Sequence, residues 1–155
     1  MSESPEARLA ALGLELPQVP APLAAYLPAV RSGPYVYTAG QLPTVAGKLL
    51  ITGKVGDQVT AEEAAAAARI AALNALAAVA SVTGEGLSSV VRVVKMTGFV
   101  ASAPGFTGQP QVVNGASELM LEVFGEAGRH ARSAVGASAL PLDAPVEIEL
   151  IAEVR

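Results

Sequence analysis

Residues 60 to about 81 read TAEEAAAAARIAALNALAAVAS, and no other stretch restricts the fold as tightly. Thr60 followed by Glu63 forms a capping box. The Thr hydroxyl accepts from the backbone of the third helical residue, and the Glu side chain reaches back to the cap. The helix it opens runs to about Ser81 and ends near Gly84. Ala lines several of its faces, so a sheet or a second helix can approach it closely. Arg69 and Asn74 interrupt the apolar stretch from Ala64 to Val82, which therefore does not read as a transmembrane span.

A helix of this kind needs a partner layer, and the rest of the chain supplies strands. From Tyr35 the sequence reads YVYTAG and then LLITGKVG, with Gly40, Pro43 and Gly47 marking a turn between two strands. Val90 to Ala101, VVRVVKMTGFVA, is a long β-branched run that suits a central strand. After the loop SAPGFTGQP, a second helix starts at or beside Pro110. Its Val112, Ala116, Leu119 and Val123 share one face, and Gly125 stops it. Two strands close the chain, Ser133 to Ala139 and Val146 to Val154, joined by LPLDAP. In the second, Val146, Ile148, Leu150, Ala152 and Val154 face one way and Glu147, Glu149, Ile151 and Glu153 the other. The order ββαβαββ predicts an α+β fold, a single mixed sheet with two helices on one face. Ahead of it, Ser4 caps a short helix with Pro5 at its first position and Gly13 after it. The proline-rich PQVPAPLAAYLP then reads as an extended lead-in.

Composition narrows the function. A chain of 155 residues fits one domain with its own core. Its 52% apolar content is rich for a monomer, which points to subunits packed together. Cysteine is absent, so disulfides, thiolate metal ligands and Cys nucleophiles drop out. The lone His cannot build a zinc site. A net charge of −4 with 4% aromatics argues against nucleic-acid binding. Met1 is followed by SESPEA, which lacks a secretory leader pattern, so the cytoplasm is the expected compartment and no membrane is expected as partner. Dinucleotide, phosphate-loop and Ser-elbow motifs are missing, which leaves chemistry done with Arg, Glu, Tyr, Asn, backbone groups and water.

The densest cationic stretch is GRHARS, residues 128 to 133, placed before the strand that carries Glu147 and Glu149. If the last two strands pair as a hairpin, Arg132 and Glu147 gather near one end of the sheet. A guanidinium there offers a planar fork to a carboxylate, and Glu147 can orient or deprotonate a water. From spacing alone a structural ion pair, or a subunit interface, is the more common origin of such a pattern. Arg129, Arg69 and Asn74 read as solvated or interface residues, Glu149 as structural, and His130 as a loop or interface residue.

HARSAVGASALPLDAPVEIELIAEV resembles the C-terminal signature of the RidA/YjgF family of reactive-intermediate deaminases. Thr38 to Gln41, TAGQ, resembles that family's strand end, Tyr26 falls at its active-site Tyr, and Val113-Asn114 resembles its V-N pair. The resemblance sets residues 1–25 apart as an N-terminal extension with a short helix and makes 26–155 the RidA-like domain. It implies a chorismate-mutase-like fold in a homotrimer with clefts between subunits. It also implies hydrolysis of 2-imino acids and their enamines, of the 2-aminoacrylate and 2-iminopropanoate type, to 2-oxo acids and ammonia with no cofactor and no metal. Carried over, Arg132 binds the substrate carboxylate and Glu147 positions the attacking water, while Tyr26, Asn114, Ala39 and Gly40 shape the pocket. The chain departs from the family at Ala134, where members carry Cys, at Ala39, where they carry Ser, and in the longer loop at 101–109. These departures keep open a trimer that binds small carboxylates without turning them over.

Overall fold

The computed structural model describes residues 2–19 and 25–155. Seven strands and three α-helices follow in the order α1 (Pro5–Ala11), β1 (Ala29–Ser32), β2 (Tyr35–Thr38), β3 (Thr44–Val45), β4 (Lys48–Leu49), α2 (Ala61–Ala80), β5 (Val90–Ala101), α3 (Gln109–Phe124), β6 (Ala131–Ala137) and β7 (Val146–Val154). Five strands form the main sheet in the order β1-β2-β7-β5-β6, and β3-β4 form a small separate ladder. Within the main sheet, β5 and β6 pair parallel and the other neighbours antiparallel. The α+β class, the mixed sheet and the two covering helices of the sequence reading are all present.

The capping box forms as expected. Thr60 Oγ1 accepts from the Glu63 backbone at 3.1 Å, and Glu63 Oε2 accepts from the Thr60 backbone at 3.0 Å. Ala64, Ala68, Ala71, Ala72 and Ala75 of α2 are fully buried in the core beside Leu76. Small side chains let α3 press close: a Cβ on Gly115 would overlap the backbone carbonyl of Ala65. Against the sheet, a Cβ on Gly98 of β5 would overlap Val113 of α3. Arg69 ties the helices at their edge by an ion pair to Glu122 at 2.7 Å. The Asn74 amide donates to the carbonyls of Leu42 and Thr44, at 2.9 and 3.0 Å, and so holds the small ladder onto α2.

Two strand pairings differ from the sequence reading. The partner of β2 is the upstream β1, joined through a tight turn at Gly33-Pro34 in which Gly33 takes φ +59°. The LLITGKVG stretch contributes only Leu49 to the small ladder, because Gly53 (φ +119°) and Gly56 (φ +92°) bend the chain away from extended geometry. The last two strands are not a hairpin. β5 lies between them: β7 pairs with it antiparallel, and α3 delivers β6 parallel to its other edge. Strand β6 also begins at Ala131, so Arg132 lies inside the strand opposite Met96.

The short helix α1 is capped by Ser4 Oγ, which accepts from the Ala7 backbone at 3.1 Å. It docks onto the domain through buried Leu9 and through Glu6, whose carboxylate accepts from the Ser88 backbone and hydroxyl at 3.0 and 2.8 Å. Of the proline-rich lead-in, residues 20–24 lie outside the described residues.

Candidate functional site

Alternation along β7 sorts the candidate residues. Val146, Ile148, Leu150, Ala152 and Val154 are buried against the helices, which leaves Glu147 and Glu149 on the open face of the sheet. On β6 the residues facing α3 include Arg132 and Ala134. Arg132 and Glu147 therefore project from opposite faces. They are also two strands apart, and their partners on β5, Met96 and Phe99, are offset by roughly 10 Å along the strand. The hairpin considered from sequence would have gathered both near one end of the sheet; with β5 between their strands they do not meet within a single chain, and the resemblance implied clefts between subunits.

Each of the two residues has its own cluster. Arg132 Nη1 donates to Asn114 Oδ1 at 2.7 Å and to Ser117 Oγ at 3.2 Å. Asn114 and Ser117 stand one helical turn apart on α3, so they present one face to β6. Ser117 Oγ lies 2.9 Å from His130 Nε2, and His130 Nδ1 lies 2.6 Å from the Gly128 carbonyl. Together with Leu121 and Arg129, these residues line an open groove of about 470 Å³. Among the described residues, no carboxylate stands within ion-pair distance of Arg132, whereas Arg129 has Glu126 at 3.3 Å.

The second cluster lies where β2 ends. Gly40 leaves room for the Glu147 carboxylate, because a Cβ on Gly40 would overlap it. Gln41 and Ile148 exchange backbone hydrogen bonds at 2.8 and 3.0 Å, which fixes this approach. The Ala39 backbone donates to the Pro28 carbonyl at 2.8 Å. Tyr26, two residues before Pro28, is 63% exposed. Burial holds the Glu147 carboxyl above the usual carboxylate range, and the nearby charge of Glu149 adds to the shift. A carboxyl so placed takes up a proton more readily than a solvated one, which suits it to handling a water.

Among the pocket residues, the fold thus groups Arg132 with Asn114, and Glu147 with Gly40 and its neighbour Ala39, and brings the exposed Tyr26 into contact with neither. Ser117 and His130 did not emerge as site residues from the sequence. The available signal was spacing: Ser117 is three residues beyond Asn114 on the helix, and His130 is two residues before Arg132, just ahead of β6.

The chain matches the family described as "YjgF/chorismate mutase-like, putative endoribonuclease" over residues 6–154. It is 44% identical over 150 residues to Protein TCP17 of Trypanosoma cruzi, covering 96% of this chain and 93% of that protein. The crystal structure of Atu1372 from Agrobacterium tumefaciens, a protein of unknown function, superposes with a TM-score of 0.91 at 46% identity, covering 97% of this chain and 92% of that one. TdcF of E. coli, solved with bound serine, gives 0.60 at 25% identity, covering 89% of this chain and 94% of that one. On this extent of match, the chain belongs to the YjgF/chorismate mutase-like family and has its fold.

Proposed function

We propose that the protein is a hydrolytic deaminase of small 2-imino acids and their enamines, releasing a 2-oxo acid and ammonia. The observation that carries this reading is Arg132: a guanidinium held, among the described residues, only by the neutral acceptors Asn114 and Ser117, in an open groove. A cation fixed without a counter-charge favours a planar anion, and a carboxylate fits its fork. TdcF, solved with an amino acid bound, supports a ligand of that size and charge.

The reaction asks little more of the site. An imine carbon is already electrophilic, so catalysis consists of holding the carboxylate, steering a water to that carbon and moving its proton. Glu147, raised in its proton affinity and seated against Gly40, is the group for the water. Because Arg132 and Glu147 leave opposite faces of the sheet, the reading requires the site to be completed between subunits, with the groove of one copy closed by the open sheet face of the next. A closed homotrimer provides three such clefts.

The test uses imines generated in situ by an amino-acid oxidase, with trapping of what remains. Wild-type protein is expected to accelerate imine loss, and Arg132→Ala to abolish the acceleration while keeping its oligomeric mass. No acceleration across small, aliphatic and aromatic imines would overturn the deaminase and leave a carboxylate-binding assembly. RNA cleavage is named in the family description and in the names of similar solved structures, and a net charge of −4 gives it no support.

A further inference from the structure

We propose that Ser117 and His130 are positioning residues that clamp Arg132 so that a ligand carboxylate meets the Nε–Nη2 edge of its guanidinium. The inference rests on Arg132 being the carboxylate-binding group and adds which edge is offered and what fixes it.

The argument is a count of hydrogens. A guanidinium carries five N–H donors, two of them on Nη1. The Nη1 pair is engaged by Asn114 Oδ1 at 2.7 Å and Ser117 Oγ at 3.2 Å. Among the described residues, the Nε and Nη2 hydrogens have no protein partner. They form one parallel pair along an edge of the plane, the geometry a carboxylate accepts bidentately.

His130 sets the direction of the clamp. The Gly128 carbonyl can only accept, so His130 Nδ1, 2.6 Å away, carries the hydrogen. In the neutral ring this leaves Nε2 as an acceptor 2.9 Å from Ser117 Oγ, and it outcompetes the other acceptor within reach of that hydroxyl, the weakly accepting Met96 Sδ at 3.6 Å. With its proton committed there, the Ser117 oxygen turns a lone pair to Arg132. The chain of donation thus runs from Arg132 to Ser117 to His130 and from His130 to Gly128. Every acceptor in it is neutral, so the charge of Arg132 is left for the ligand. By the same logic Asn114 turns its oxygen to Arg132, and its amide hydrogens remain for the groove.

Calorimetric binding of 2-oxobutanoate and of its methyl ester to the assembled protein tests this without turnover. Ser117→Ala and His130→Phe are expected to weaken binding of the acid about tenfold, the worth of one positioned hydrogen bond to a charged group. Binding of the ester should stay within twofold. His130→Gln, whose amide oxygen can accept from Ser117, should recover most of the loss. Where imine turnover is measurable, KM should rise by a similar factor while kcat stays within about threefold of wild type, as expected for lost ground-state positioning. Unchanged affinity in Ser117→Ala, equal losses for acid and ester, or His130→Gln no better than His130→Phe would each overturn the clamp. A wild type that binds 2-oxobutanoate through Arg132 yet accelerates no imine would sink the deaminase and leave the clamp standing. A wild type that binds no carboxylate would sink the clamp.

Discussion

Arg132 and Glu147 project from opposite faces of one sheet, with β5 between their strands. A substrate that needs both must therefore touch two copies of the chain. This makes the proposed cleft testable by complementation. Arg132→Ala and Glu147→Gln proteins, each expected to be inactive alone, are unfolded together at equal amounts and refolded. In a closed ring of three, every mixed trimer regains one cleft with both wild-type groups. Random assembly then restores about a quarter of wild-type activity. Recovery of nothing, with mixed trimers verified by mass, would show that the groups do not act across one interface.

Gly40 is the residue that admits the Glu147 carboxylate to its position. Gly40→Ala has no helix or buried core contact to break at that point, so the fold should persist. The carboxylate, however, must swing aside to make room for the methyl group. The expected outcome is loss of imine turnover by about a hundredfold, the scale of a displaced acid–base group, with 2-oxobutanoate affinity changed less than threefold. Equal loss of both would mean that Gly40 serves the carboxylate subsite instead. Turnover close to wild type would remove Glu147 from the chemistry.

How much of this was legible before any coordinates follows from what each signal depends on. The capping box at Thr60 and Glu63, the stop at Gly125 and the two-faced pattern of β7 are local, and each appears where the sequence placed it. Strand pairing depends on partners far along the chain. YVYT had two candidate neighbours, and the turn at Gly33-Pro34 was not read as a hairpin. The hairpin expected between the last strands failed because β7 pairs with β2 and β5, which leaves only the outer edge of β5 for β6. The side-chain alternation that assigned Glu147 to one face gave no hint of which face Arg132 would take, since that follows from its register with Met96. Ser117 was invisible for a related reason: a helical Ser carries no signal until the strand opposite it is known.

Glu147 also links the site to stability. Its carboxyl is held above its usual range by burial first and by Glu149 second. A carboxyl that binds its proton more tightly in the folded state contributes stability that is full below the unfolded value, about pH 4.3, and is lost as pH rises through the folded value. Once that proton is lost, the wild type carries a partly buried charge close to the like charge of Glu149. Glu147→Gln removes that charge while keeping the shape, and its Tm at pH 7 to 8 should exceed the wild-type value by about 1–3 °C. The difference should vanish near pH 4, where Glu147 holds its proton in both states. The same variant should lose turnover, so that stability and activity move in opposite directions at one position. Thermal melts of both proteins from pH 4 to 8 check the sign. A Tm gain that stays constant with pH would point to packing, and a lower Tm at neutral pH would show that the charge has a compensating partner in the assembled protein.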